Sequence, residues 1–124
     1  MKLPHVKRVY EKPAAGDGMR ILVDRLWPRG LTKEKARIDL WLKDISPSHV
    51  LRQRFHGKPD DWDAFCTAYA VELESDAALA AVEILRGHLR AGPVTLLYAA
   101  RDEAHNNAVA LKAWLSRQKK GRAS

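Results

Sequence analysis

Apolar and polar residues follow two different periods along the chain, and the change of period separates strands from helices. Residues 6–10 alternate between apolar and basic side chains, which predicts a short strand. Compact apolar runs over residues 19–23, 38–42 and 93–100 predict three more strands. Residues 11–18 contain Pro13, Gly16 and Gly18 and are predicted to form a loop. The strands therefore lie mostly in the first third of the chain, with one near its end.

Helical spacing dominates the middle of the chain. It predicts helices over about 60–74 and 76–90, and a last helix that begins with Asp102 as its N-cap. Thr32 and Ser46 are further candidate N-caps, each of a short helix. Gly57 is the predicted end of the helix that follows Ser46. The apolar stripe of the first long helix consists of Trp62, Phe65, Cys66, Tyr69 and Leu73.

These elements together predict an α/β fold. Near-continuous apolar runs at 19–23 and 94–100 are typical of strands that are covered on both faces. We therefore expect a single-domain three-layer sandwich, with a largely parallel sheet of about four strands flanked by helices. The domain is predicted to span residues 1–116, and residues 117–124 to form a basic C-terminal tail.

Charge is distributed unevenly along the 124 residues. Residues 1–58 carry a net charge of +8, residues 59–85 carry −7 and residues 86–124 carry +6, which sum to the overall +7. Two basic segments therefore flank an acidic one, and we expect part of the excess positive charge to attract an anion. No apolar run approaches the roughly 20 residues that span a bilayer, so no membrane association is predicted. The single cysteine, Cys66, is predicted to be buried and inert, and it indicates a cytoplasmic protein.

Charged residues follow three of the predicted strands directly: Asp24 and Arg25, Lys43 and Asp44, and Arg101 and Asp102. In an open parallel sheet the carboxyl ends of the strands meet at one edge, where ligands bind. The N-terminus of the last predicted helix would point its free amide groups into the same space. Amide and guanidinium groups together favour an anion, so the sequence predicts a small anionic ligand, phosphorylated or carboxylated.

Each candidate residue has an expected role. Arg25, Arg29, Lys43 and Arg101 would bind the anion, and Tyr98 and Asn106 would form hydrogen bonds with the ligand. Asp24 and Asp44 would orient the cations or act as general acid and base, and His105 would act as a base. The histidines and the cysteine lack metal-ligand spacing, so neither a metal site nor a cofactor is predicted.

Simpler structural roles are open for several of these residues. The charged residues at the strand ends could also form exposed ion pairs with one another, and such pairs contribute little to stability. Trp27 fits a packing role as well as a role in ligand binding. Asp102 as a plain N-cap needs no function at all.

Two other function classes are open, and both are non-catalytic. A nucleic-acid-binding protein would use Arg25, Arg29, Lys33, Lys35 and the tail on phosphates, but only Trp27 lies among these cations for base stacking. A protein-interaction module would dock its acidic helix, residues 60–74, on a basic surface. The oligomeric state stays undetermined.

The chain resembles the YeaO-like family of bacterial proteins, a domain of unknown function, in four segments that follow in order: KRVYE, RILVDRLWPRGLTKEKARIDLWLKDISPS, RQRFHGKPDDWDAF and TLLYAARDEAHNNAVALKAWL. The resemblance extends from residue 7 to about residue 115 and implies a small cytoplasmic α/β domain, without an established activity. Members usually have lysine at the position of Arg101, which conserves the cation. The wider superfamily often has a cysteine at the position of Tyr98, so the resemblance carries no thiol chemistry to this chain.

Overall fold

A computed structural model of the chain describes residues 2–56 and 58–121, and it contains one sheet of four parallel strands. The strands are β1 (His5–Arg8), β2 (Met19–Leu22), β3 (Leu40–Trp41) and β4 (Val94–Tyr98). Their order in the sheet is β1-β4-β2-β3, so the last strand lies between the first two. The predicted single-domain α/β fold with a parallel sheet is confirmed.

Within the described residues, five α-helices pack around the sheet. They are α1 (Lys33–Ala36), α2 (His49–Phe55), α3 (Trp62–Glu72), α4 (Asp76–Ala91) and α5 (Asn107–Gly121). The described residues also contain three single turns of 3₁₀-helix, Ala15–Asp17 before β2, Lys43–Ile45 after β3 and Pro59–Asp61 before α3. None of the helices in the described ranges is long and apolar enough to cross a bilayer.

Two apolar clusters cover the two faces of the sheet unequally. Ile21 and Leu96, which are register partners, face the large cluster to which α2, α3, α4 and α5 contribute. Leu22 and Leu97 point to the opposite face because side chains alternate along a strand. On that face a small cluster is closed by α1 through Ala36. The central strands β2 and β4 are therefore buried on both sides, as the apolar runs predicted.

The loop before β2 passes close to the backbone before β4 and needs a glycine there. Gly18 has φ of 65°, and a Cβ atom at this position would lie 2.2 Å from the carbonyl oxygen of Pro93. Only glycine tolerates both the left-handed conformation and this approach. The nearby amide of Met19 donates to the same Pro93 carbonyl at 3.0 Å, which sets the register of β2 against β4.

Two predicted helix starts are wrong, while the one at Thr32 is confirmed by its hydrogen bond from the Lys35 amide. Ser48, not Ser46, is the N-cap of α2, where its hydroxyl accepts from the Leu51 amide. The last helix begins at Asn107, five residues after the predicted cap Asp102. Gly57, the predicted end of α2, and residues 122–124 lie outside the described residues, and the division into a domain and a tail stays a prediction.

Candidate functional site

A cleft of about 1080 Å³ opens at the carboxyl ends of β2 and β4. We call it the strand-end cleft. Its floor is formed by the segments that follow the two strands, residues 24–29 and 99–107. Its other walls are α2 and the first turn of α3. The location agrees with the general preference of parallel sheets for ligand binding at this edge.

Six of the nine predicted site residues line the strand-end cleft: Asp24, Arg25, Arg29, Arg101, His105 and Asn106. The other three do not. Lys43 and Asp44 lie on the 3₁₀ turn after β3, where the Lys43 Nζ atom is 4.5 Å from the centre of the Trp41 ring. Tyr98 packs into the large apolar cluster and is 2% exposed. The residues that directly follow β2 and β4 therefore meet in the cleft, whereas Lys43 and Asp44 after β3 do not.

Asp24 joins the three elements that meet beneath the cleft. Its Oδ2 atom accepts from the Ala99 amide at 2.9 Å, and its Oδ1 atom accepts from the Asn107 side chain at 3.0 Å. The Asn107 amide also donates to the Val23 carbonyl. Desolvation by burial raises the pKa of Asp24, despite these hydrogen bonds and the nearby Arg52 charge, which favour the ionised form. Both carboxylate oxygens are thus used to connect β2, β4 and α5.

Arg25 has a similar structural role at the edge of the cleft. Its Nε atom donates to the Pro47 carbonyl at 3.1 Å and its Nη2 atom to the Ser46 carbonyl at 3.2 Å. These bonds attach the end of β2 to the loop before α2. Backbone carbonyls, and not the Asp24 carboxylate, therefore hold the Arg25 side chain in place.

Two tryptophans stiffen the turn after β2. The Trp27 indole donates to the Leu31 carbonyl at 2.7 Å, and its ring contacts Trp41 edge-on at 5.4 Å. The Trp41 indole in turn donates to the carbonyl of Asp24 at 2.6 Å. Trp27 therefore has the packing role, while one side of its ring still lines the cleft.

His105 forms a pair with Asp102 beside the cleft. The His105 Nδ1 atom is 3.2 Å from Asp102 Oδ2, and the imidazole contacts the Trp62 ring edge-on at 5.0 Å. Asp102 Oδ1 accepts from the amides of His105 and Ala104, and these hydrogen bonds hold the pKa of Asp102 below its ordinary value. The carboxylate thus orients the imidazole of His105.

Asn106 is buried, and both ends of its side-chain amide are used within the fold. Its Oδ1 atom accepts from the Val109 amide at 3.0 Å, as the N-cap of α5, and its Nδ2 atom donates to the Asp102 carbonyl at 2.9 Å. Each of these two atoms already makes one hydrogen bond within the fold and the residue is 5% exposed, so the hydrogen bond from Asn106 to a ligand stays a prediction.

Three arginines of the cleft keep their charges available. The side chains of Arg29, Arg52 and Arg101 are exposed and make no hydrogen bond or ion pair with any residue in the described ranges. Arg29 is positioned through its carbonyl, which accepts from the Tyr10 hydroxyl at 2.9 Å. Lys58, which directly precedes the 3₁₀ turn Pro59–Asp61, adds a further positive charge to the cleft. The cleft is therefore cationic, because four arginines and Lys58 line it against two carboxylates, Asp24 and Asp102.

Arg52, Lys58 and an aromatic wall were missed by sequence reasoning. The wall consists of Phe55, Trp62 and Phe65. All of these residues lie on α2, on α3 or between them, away from the strand ends on which the prediction concentrated. One signal was available: Phe55 and Trp62 flank Lys58 in the stretch FHGKPDDW, which places two aromatic residues near a cation.

A metal site finds no support in the described part of the chain. No group of three or more His, Cys, Asp or Glu side chains lies close enough together there to hold a metal ion. Asp24 and Asp102 line the same cleft but accept hydrogen bonds from amides, and Asp44 lies elsewhere. Asp24 and Asp102 are thus engaged with hydrogen-bond donors of the protein itself.

Comparison with known proteins places the chain in a family. Residues 4–123 match the family model DUF488-N3i, described as the inactive DUF488-N3 subclade. An uncharacterised protein of Mycobacterium tuberculosis, Rv3073c, is 42% identical over 106 residues, which cover 86% of this chain and 87% of that protein. The uncharacterised protein YeaO of Escherichia coli is 42% identical over 109 residues, 88% of this chain and 93% of YeaO. No solved structure matches the chain significantly. The chain therefore belongs to the YeaO-like family, in the subclade described as inactive.

Proposed function

We propose that the strand-end cleft binds a small anionic ligand, phosphorylated or carboxylated, and that the protein acts as a non-catalytic binding protein in the cytoplasm. The observation that carries the proposal is the set of three exposed guanidinium groups, on Arg29, Arg52 and Arg101, around a single cleft. Guanidinium groups bind phosphate and carboxylate through paired, charge-assisted hydrogen bonds. The carboxylates of the cleft already accept hydrogen bonds within the fold, so a bound anion would supply the acceptors for these three guanidinium groups.

The same contacts argue against catalysis. Of the three predicted acid–base residues, Asp24 uses both oxygens within the fold and Asp44 lies outside the cleft. His105 keeps an oriented imidazole, but no serine, threonine, cysteine or lysine nucleophile is within hydrogen-bonding distance of it in the described residues. The description of the subclade as inactive agrees with binding without turnover.

Replacement of Arg29 by alanine tests the anion site. Inorganic phosphate should raise the melting temperature of the wild-type protein, since a ligand that binds only the folded state stabilises it. Arg29→Ala should weaken phosphate binding about tenfold or more, because it removes a charge-assisted contact. The melting temperature without phosphate should change little, because the side chain is exposed and has no partner in the described ranges. Thermal melting with and without phosphate measures both effects.

Arg90→Ala is the matched control, because Arg90 is an exposed arginine on α4 outside the cleft. It corrects for the general stabilisation of proteins by phosphate, which needs no binding site. Equal protection of the wild type, Arg29→Ala and Arg90→Ala would show that phosphate does not use this cleft. A loss of intrinsic stability in Arg29→Ala with unchanged protection would contradict the assignment as well.

A single-stranded nucleic acid is the second candidate ligand, and the aromatic wall is the observation that favours it. Proteins bind single strands with cations on the backbone and aromatic side chains on the bases. The sequence placed only Trp27 among its cations, whereas the cleft brings Phe55, Trp62 and Phe65 next to Arg52 and Arg101. The acidic segment 59–85, with a net charge of −7, begins beside this wall and would repel a continuous phosphate backbone.

A fluorescent single strand of about 30 nucleotides separates the two candidates, because binding to a polyanion weakens steeply as salt rises. We expect no shift in fluorescence anisotropy even at low salt, while phosphate still protects against heat. Tight binding at low salt that is lost at higher salt would instead favour the nucleic-acid function.

A further inference from the structure

The aromatic wall of the strand-end cleft presents ring surface to the cavity. The Trp62 and Phe65 rings are nearly parallel, at 22° and 5.6 Å between centres, and Phe55 contacts Phe65 edge-on at 5.9 Å. All three side chains are half-buried, whereas Tyr69 and Leu73, further along the same stripe of α3, are 1% exposed. Trp62 and Phe65, in the first part of the stripe, thus pack against the edge of the core and also present surface to the cleft.

Cations lie directly beside this wall. Arg52 precedes Phe55 by three residues on α2, a spacing that places both side chains on the same side of a helix, and both line the cleft. On the opposite segment, His105 contacts the Trp62 ring at 5.0 Å and Arg101 is four residues earlier. Positive charge and aromatic surface therefore share one cavity.

The size of the cleft exceeds what an isolated anion needs. Its volume of about 1080 Å³ lies at the upper end of small-molecule sites, which are typically about 300–1,000 Å³. Inorganic phosphate would contact the arginines only and would leave the half-buried rings in contact with water. A ligand with an apolar, flat part would cover this surface as well.

We infer, on the basis of the proposed function, that the ligand is an anion joined to a planar aromatic ring. This ring stacks on the aromatic wall. The anionic group would bind the three exposed arginines, Arg29, Arg52 and Arg101. Stacking distinguishes a planar ring from an aliphatic ring of the same size, because aromatic pairs gain energy beyond the area that they bury.

Three phosphates measured by calorimetry test this inference: phenyl phosphate, cyclohexyl phosphate and inorganic phosphate. The first two share charge and approximate size, and simple burial of apolar surface favours the cyclohexyl compound. We expect phenyl phosphate to bind about 2- to 10-fold more tightly than cyclohexyl phosphate. In Trp62→Leu the preference for phenyl over cyclohexyl phosphate should disappear, so that the ratio of the two affinities is near one. In Trp62→Phe, which keeps an aromatic ring, most of the preference should remain.

The outcomes separate the inference from the proposed function. Binding of inorganic phosphate, with phenyl phosphate no tighter than cyclohexyl phosphate, overturns the aromatic ligand and leaves the anion site in place. An unchanged ratio in Trp62→Leu overturns the assignment of the ring to this wall. If none of the three phosphates binds, the proposed function itself fails.

Discussion

Replacing Asp17 by asparagine should lower the free energy of unfolding by about 3–5 kcal/mol, the range for breaking a buried ion pair. The Asp17 Oδ2 atom lies 2.6 Å from Arg20 Nη1 and 3.2 Å from Lys7 Nζ, and the Arg20 side chain is 3% exposed. Asparagine keeps the shape but leaves the Arg20 charge buried without a counter-charge. Urea unfolding at neutral pH measures the loss, as a lower midpoint at an unchanged slope.

The acid side of the stability profile gives an independent test. Burial raises the pKa of Asp17, but the hydrogen bond from the Ala14 amide and the contacts with Lys7 and Arg20 lower it more, so the net shift is downward. A depressed pKa contributes stability that is present above the unfolded value, near pH 4, and is lost as the pH falls through the folded pKa. The unfolding free energy of the wild type should therefore fall in acid. That of Asp17→Asn should fall less over the same pH range, because the variant has no carboxyl group at this position.

Glu34→Gln is the control for Asp17→Asn, since Glu34 is exposed on α1 and its side chain has no partner in the described ranges. It should change the free energy of unfolding by less than about 0.5 kcal/mol. If Asp17→Asn falls in the same small range, the buried ion pair between Asp17 and Arg20 does not stabilise the fold.

The strands were predictable because buried strands of a parallel sheet are short, continuous apolar runs. Residues 19–23 and 93–100 contain β2 (Met19–Leu22) and β4 (Val94–Tyr98). The prediction for β3 was too long, because only Leu40 and Trp41 pair with β2 before the chain turns into a 3₁₀-helix. That turn depends on contacts with distant elements, and it directs Lys43 and Asp44 away from the cleft. Alternation of side chains cannot show where pairing stops.

Helix starts failed where several cap-forming residues follow one another. Asp102 does accept backbone amide hydrogen bonds, as an N-cap would, but they close only a turn over residues 103–105. Asn106 has the same capability four residues later and caps α5. The choice between the two caps is made by packing, since Asn107 must reach the Val23 carbonyl and Asp24.

About half of the candidate site followed from one topological rule. The rule that parallel strands end at a common edge placed Arg29 and Arg101 in one cleft. This rule could not predict that Arg52 and the aromatic wall line the same cleft, because the positions of helices relative to the sheet are determined by tertiary packing. The stripe of α3 predicted which side chains share a face, but not that its first turn lies beside the strand ends.

Replacing Asp24 by alanine should lower the free energy of unfolding by about 2–3 kcal/mol, because it leaves two part-buried donors without an acceptor. These donors are the Ala99 amide and the Asn107 side chain, which connect β2, β4 and α5. Urea unfolding gives the value, and Asp44→Ala is the control. Asp44 is an exposed aspartate that also follows a strand, but its side chain contacts no partner in the described ranges, so its loss should cost less than about 0.5 kcal/mol.

The loss of unfolding free energy in Asp24→Ala, relative to wild type, should change with pH in the opposite direction to the loss in Asp17→Asn. Burial raises the pKa of Asp24, so the folded state favours the protonated carboxyl relative to the unfolded chain. Its contribution to stability is therefore largest in acid and declines as the pH rises through the raised pKa. The difference in unfolding free energy between wild type and Asp24→Ala should narrow from about pH 4 toward neutral pH. A difference that widens instead would mean that the hydrogen bonds from Ala99 and Asn107 outweigh burial, and that Asp24 is held as a carboxylate by the elements that it joins.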